Sequence, residues 1–511
     1  MIGTGRRRLG PTPWRALAAW LAVALIGSWA RPGLADDPPT EAGSRKAPSH
    51  LADAKAVRTR LGVSPAYDGV VGVESVRVAV LDYGFDGLGA GRGYLPASAT
   101  IVEDYDPDFV RRFGLGDPAF RKPFEPLNRH GREMAQIVWS VAGSLPGGPR
   151  FYLLNANGPT MLRRAVRYAI EERVDVILFS GAFEGGGAGD GKGPIDRAVG
   201  EATARGILWI NAAGNYGGKV YNGPVRVLPD GYLKLRNVPD IAALRFRNRA
   251  DENTLTITLT WNDYQDEEDA GSEKDLDLFV EDWTGRRIGS GEKIQVAGDR
   301  PAGPEETRNP RERVVLADLP ANPHVPTDPD FCYRLRVKAR KGRFSQGDRI
   351  RILISPSRET YVPVGGAGPE EAVTFVDASD EGEIYPPADN PTVLTVGEPS
   401  PSSSVGPTLD GRAKPDVVLE DSRAYFTDGQ VTFGSSNAAA YLAGVAVLLK
   451  AAEPSLRPGH LLQLARECAP LKEDPAAPKS ASARPANPPR PILRAWKTPT
   501  RARLSQVVRG G

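Results

Sequence analysis

The chain has 511 residues, 40% of them hydrophobic and 25% charged, with 65 Lys and Arg against 63 Asp and Glu. That length can bury two sizeable cores, and the composition is that of a folded globular protein rather than a disordered or fibrous one. A net charge of +2 excludes the broad basic surface expected of a protein whose main ligand is nucleic acid.

The N-terminus reads as a targeting segment. Arg6, Arg7 and Arg8 form a positive region, Ala16 to Ala30 an apolar run, and Gly33-Leu34-Ala35 offers small residues for cleavage before Asp36. The run is too short for an ordinary membrane span. Residues 1–35 are therefore expected to be a cleaved signal peptide, and the protein exported with no stable span after cleavage. Residues 36–64 are polar, punctuated by Pro and Ala, and read as a loose lead-in. Two cysteines, Cys332 and Cys468, allow at most one disulfide after export; two free thiols are the other reading.

From Val76 the pattern is strand-helix alternation. The near-continuous apolar runs around Val78 and Val80, Phe151 to Leu154, Val174 to Phe179 and Ile207 to Ile210 suit strands buried on both faces. Between them, Met134, Ile137, Val138 and Val141 follow helical spacing, and Met161 to Glu171 and Ile195 to Ala204 also read as helices. The expected fold class is α/β, a mainly parallel, doubly wound sheet. The period then changes to two. Leu255, Ile257, Leu259 and Trp261 alternate with threonines, and Tyr333, Leu335 and Val337 alternate with Arg334, Arg336 and Lys338. This pattern predicts an inserted antiparallel β-sandwich over 224–385 with one wet face per sheet. It divides the α/β part into 65–223 and 386–470, and Ala438 to Ala452 reads as a long helix in the second part. Residues 471–511, rich in Pro, Ala, Ser and Arg, are expected to be disordered.

Four short segments carry chemistry. Asp82 ends an apolar strand, His130 starts an amphipathic helix, Asn215 follows another strand, and Ser436 stands among small residues at a helix entrance. These supply an orienting carboxylate, a general base, an oxyanion donor and a nucleophile, the parts that acyl transfer needs. Each has a plainer reading: a turn Asp before Gly84, a structural His, a turn Asn before Tyr216-Gly217, and an N-cap Ser. Asp86, in the following loop, is the nearest alternative to Asp82, and Ser435 is the neighbour that Ser436 must be told from.

The order Asp, His, Ser narrows the reading. Asp82-Tyr83-Gly84, His130-Gly131-Arg132, Ala212-Ala213-Gly214-Asn215 and Gly434-Ser435-Ser436-Asn437-Ala438 resemble the motifs of the subtilisin-like (subtilase) serine peptidases. Ser403 to Pro407 and Lys414 to Val417 are similar to a further family stretch. The resemblance implies a secreted endopeptidase with Asp82, His130 and Ser436 as triad and Asn215 as side-chain oxyanion donor. It implies also that Ser180-Gly181-Ala182 pairs with substrate backbone, and that Ala212-Ala213-Gly214 walls the pocket for the residue before the cut. Partners would be proteins or peptides. No cofactor is required; structural calcium is compatible with the acidic stretch Asp263 to Asp277, but no ligand is assigned.

The chain departs from the family pattern at Tyr83, Arg132, Glu133, Ser435, Ala440 and Tyr441. A catalytically weak or inactive protein of this fold, acting as an extracellular binding module, is the alternative reading. Gly186 to Lys192 fits a phosphate-loop spacing, but Gly193 stands where Ser or Thr would hold magnesium, so a flexible Gly-rich loop beside the substrate groove is expected instead.

Overall fold

The computed structural model describes residues 53–85, 95, 99–102, 129–472 with short interruptions, and 493–510. The expected signal peptide, most of the lead-in, Asp86, His50, His324 and Glu267 to Asp269 lie outside the described residues.

The predicted parallel sheet has seven strands in the order Thr100–Val102, Arg150–Asn155, Arg77–Asp82, Val176–Phe179, Leu208–Ala212, Leu394–Gly397 and Val417–Val418, every neighbouring pair parallel. The near-continuous apolar runs are explained by burial from both sides. In Arg77–Asp82, Val78 and Val80 face one helical layer, while Ala79 and Leu81 face the other. The first layer holds the helices His130–Ala142, Ser435–Ala452 and Pro458–Cys468; the second holds Pro159–Glu171 and Pro194–Ala204. Among the described residues, Ser435–Ala452 is one helix long and apolar enough to cross a membrane. Its all-round apolar surface suits the middle of the protein core, where every residue from Ser435 to Leu449 is buried.

Between Leu208–Ala212 and Leu394–Gly397 the chain builds two antiparallel sheets around a second core. The five-stranded sheet runs Arg287–Gly291, Asp275–Glu281, Tyr333–Lys341, Leu244–Asn248 and Val373–Phe375. The four-stranded sheet runs Arg311–Leu319, Asn253–Trp261, Arg349–Pro356 and Val220–Pro224. Leu255, Ile257, Leu259 and Trp261 meet Leu335, Val337 and Ile352 in that core, as the period of two requires.

Four expectations fail. The four-stranded sheet does not keep a wet outer face: Thr258, Thr260, Arg351 and Leu353 are all buried, because this face packs on the Gly-rich loop of the α/β part. Thr258 donates to Glu184 at 3.0 Å, and Asp266 accepts from Gly193 N–H at 2.9 Å. That loop is accordingly clamped rather than loose; a Cβ at Gly189 would lie 2.1 Å from the Arg351 guanidinium. Residues 53–64 are not a loose lead-in either. The helix Ala54–Arg60 seats Val57 in the core, followed by Leu61 and Val63, and the buried Arg58 bonds Asp68 and the Val141 carbonyl. Nor is the whole tail past 470 disordered. Trp496 N–H donates to Val418 O, and the helix Arg501–Gly510 buries Leu504 and Val507. A few apolar residues at helical spacing suffice for docking, and the Pro-rich and Arg-rich average hides them. Residues 473–492 lie outside the described residues. Cys332 and Cys468 are free thiols.

Candidate active site

Strand register brings the candidate residues together. Leu81 stands beside Phe179 in the parallel pair, so Asp82 and Ser180 are the next residues at the carboxyl ends of adjoining strands. That edge, at the reversal of strand order, is where open α/β sheets place ligands. Asp82 holds His130, and Ser180 holds Ser436.

Asp82 is 1% exposed. Its Oδ1 accepts the Tyr83 N–H at 2.8 Å, and its two oxygens lie 2.9 and 2.8 Å from His130 Nδ1. A carboxylate against Nδ1 assigns the ring proton to that nitrogen and leaves Nε2 as the basic one. Gly131 makes the pair possible: a Cβ there would lie 2.6 Å from the Asp82 Cβ and 2.5 Å from the Phe85 ring. Its N–H donates to Gly84 O at 3.0 Å, tying the helix start to the strand end.

Burial disfavours the imidazolium, but the Asp82 charge, their hydrogen bond and the Glu133 charge outweigh it. The His130 pKa is raised above its ordinary 6.5. An imidazole can take a proton only when neutral, so any activity that uses His130 as a base is expected to rise with pH through a midpoint above 6.5. The linked stability has the opposite sense, present below 6.5 and lost as pH rises through the folded-state pKa. A pH–rate profile checks this; a midpoint below 6.5 contradicts it.

Ser436 is the second residue of its helix, after Gly434 at φ 131°, a backbone region that only glycine enters readily. Its hydroxyl donates to Ser180 O at 3.3 Å, and Ser180 Oγ donates back to Ser436 O at 3.2 Å. The main-chain N–H of a residue so early in a helix has no partner within the helix. The His130 and Ser436 helices cross closely at Gly444, where a Cβ would lie 2.6 Å from the Val141 Cβ. A hydrogen bond from the Ser436 hydroxyl to the His130 imidazole requires that hydroxyl to turn from Ser180 O.

Asn215 Oδ1 accepts from Ser435 Oγ at 3.0 Å and from Ser435 N–H at 3.3 Å. Both anchors take the amide oxygen and leave the Nδ2 group beside the Gly434 turn, 3.3 Å from where a Cβ there would lie. Ser435 is fully buried and also accepts the Gly214 N–H at 3.2 Å. It is thus a strut between the Asn215 turn and the Ser436 helix, which distinguishes it from its neighbour.

The segment Ser180-Gly181-Ala182 is buried and its three carbonyls are engaged. Ser180 O receives Ser436, Gly181 O receives Asn211 Nδ2 at 3.0 Å, and Ala182 O receives the Tyr83 hydroxyl at 3.4 Å. Ala212 and Ala213 are buried beside Gly214. Sequence reading missed Asn211 and Ser404. Asn211 is further anchored by Trp209 Nε1 at 3.1 Å, and Ser404 Oγ accepts the Tyr216 N–H at 3.0 Å. Ser404 lies within the family-like stretch Ser403 to Pro407, but Asn211 carries no signal beyond a polar residue in an apolar strand. Among the described residues, no group of three or more His, Cys, Asp or Glu could hold a metal ion.

Comparison with known proteins gives two findings. The family model described as "Subtilase family" matches residues 74–484. The CspB protease of Clostridium perfringens is similar in structure, with TM-score 0.52 and 15% identity over 88% of this chain and 97% of that one. The protease domain of PatA aligns at TM-score 0.37 and 14% identity, covering 86% and 96% of the two chains. MycP1, a serine protease component of a type VII secretion system, aligns at TM-score 0.35 and 16% identity, covering 85% of each. No curated protein matches the chain.

Proposed function

This chain belongs to the subtilase family of serine-type peptidases, and from that premise we propose that it is an exported endopeptidase using Asp82, His130 and Ser436 as a catalytic triad. The carrying observation is the doubly contacted Asp82–His130 pair beside the strand end that holds Ser436.

In the proposed cycle a peptide carbonyl enters beside Ser436. His130 Nε2 takes the hydroxyl proton as the Ser436 oxygen attacks, and Asp82 stabilises the imidazolium. The negative oxygen of the tetrahedral intermediate is met by Asn215 Nδ2 and the Ser436 main-chain N–H. His130 returns the proton to the leaving amine, and the C–N bond breaks to leave an acyl-enzyme. Water, activated by the same imidazole, then adds and releases the acid. Every proton moves through His130, so no metal or cofactor is called for. Export rests on the N-terminal charge and apolar pattern alone.

The test is cleavage of an unstructured protein such as casein by the mature chain and by Ser436→Ala. Loss of cleavage to background with unchanged thermal unfolding is expected. Equal cleavage by both would reject the triad assignment.

A further inference from the structure

The segment expected to pair with substrate backbone, Ser180-Gly181-Ala182, and the wall expected for the pocket before the cut, Ala212-Ala213-Gly214, are not separated by an open slot. On one side, Ala182 packs against Tyr385, Leu353 and Val220, with Tyr216 against the same group. On the other, Ala213 packs against Ile384 and Ala388, and a Cβ at Gly214 would lie 2.9 Å from the Tyr216 ring. The rings of Tyr216 and Tyr385 meet edge to face at 5.3 Å. One aromatic pair therefore shares a packed cluster with Ala182 and lies against the Gly214 turn. Tyr83 closes the adjoining stretch, since a Cβ at Gly181 would lie 2.1 Å from its hydroxyl oxygen. Tyr385 is buried and Tyr216 and Tyr83 partly so, and burial raises the pKa of all three phenols.

The sandwich holds this floor in place. Leu353 and Arg351 lie on its strand Arg349–Pro356. Leu353 packs on Tyr385, and the Arg351 guanidinium donates to the Ile384 carbonyl and sits 5.5 Å from the Tyr385 ring centroid. A ring clamped on two sides cannot swing away cheaply, because displacing it opens the packing of both cores.

We infer that Tyr216 and Tyr385, with Tyr385 buttressed by the inserted sandwich, restrict the residue preceding the scissile bond to a small side chain: Gly, Ala or Ser. The inference rests on the peptidase reading above. A larger side chain would have to displace packed rings, and exclusion by a filled pocket discriminates more steeply than a merely looser fit. It also gives the insert a task, fixing selectivity from behind the substrate groove.

The test is a series of fluorogenic hexapeptides differing only at the residue before the cut, namely Gly, Ala, Leu, Phe and Lys, with the full mature chain. The expected kcat/KM for Ala exceeds that for Phe by on the order of a hundredfold. Tyr216→Ala is expected to raise the Phe-to-Ala ratio by about tenfold or more. Wild-type cleavage of the Phe or Leu peptide as fast as the Ala peptide overturns the inference, whether or not the variant folds. Cleavage of none of the series, with no loss of casein cleavage in Ser436→Ala, sinks the peptidase reading instead.

Discussion

Asp82→Asn is expected to lower kcat by about four orders of magnitude with the fold intact. Both Asp82 oxygens face His130 Nδ1, at 2.9 and 2.8 Å, and Oδ1 also accepts the Tyr83 N–H. An Asn in the same place is nearly isosteric and keeps an oxygen for one of these donors. Its amide NH2, however, meets Nδ1 with a donor, favouring the tautomer whose proton sits on Nε2, the position that must accept from Ser436. Removing the charge also removes the main influence raising the His130 pKa, so the residual pH–rate midpoint should fall. Steady-state kinetics with a small peptide, beside a thermal melt, measures this. A loss below tenfold would mean that Asp82 does not orient the base.

Asn215→Ala should slow turnover by about a hundred- to a thousandfold, with KM little changed. The variant removes a hydrogen bond made to the developing oxyanion rather than to the ground-state carbonyl, so the effect belongs in kcat. The present anchoring of Asn215 supports this expectation. Its Oδ1 is fixed by two donors of Ser435, and reorganisation at the moment of attack is therefore small. Ser435 would lose an acceptor in the variant, at a net cost of about 1 kcal/mol in stability. A mainly KM effect in the kinetics would instead place Asn215 in substrate binding.

The residues nominated for chemistry were legible because their signals are local. A strand ending in Asp, a helix opening with His-Gly and a Gly-Ser-Ser-Asn-Ala helix entrance are each short, and each needs only its own neighbourhood to form. Parallel register then brings Asp82 and Ser180 side by side without further instruction. The period-two pattern likewise foretold the inner face of the sandwich, where Leu255 to Trp261 lie.

What sequence left hidden is long-range. Thr258, Thr260 and Arg351 read as solvent-facing residues of a half-buried sheet, since no pattern within a strand reveals that another part of the chain covers it. Alternation reports which side of a strand is apolar, whereas polar residues can also be buried when they find partners, as Thr258 does on Glu184. Likewise no local signal shows that Leu353 and Tyr385, far along the chain, pack in one cluster with Ala182. Composition misled at the C-terminus for a related reason. Ala495, Trp496, Leu504 and Val507 are few against many Pro and Arg residues, but enough to dock one extended stretch and one short helix.

The most direct measurement of the central claim is reaction of the mature chain with a fluorophosphonate, followed by proteolysis and mass spectrometry of the adduct. One equivalent of label on Ser436, slowed strongly by Asp82→Asn and abolished by Ser436→Ala, is the expected result. An actively proteolytic preparation that carries no label on Ser436, or carries it on Ser435, would contradict the assignment.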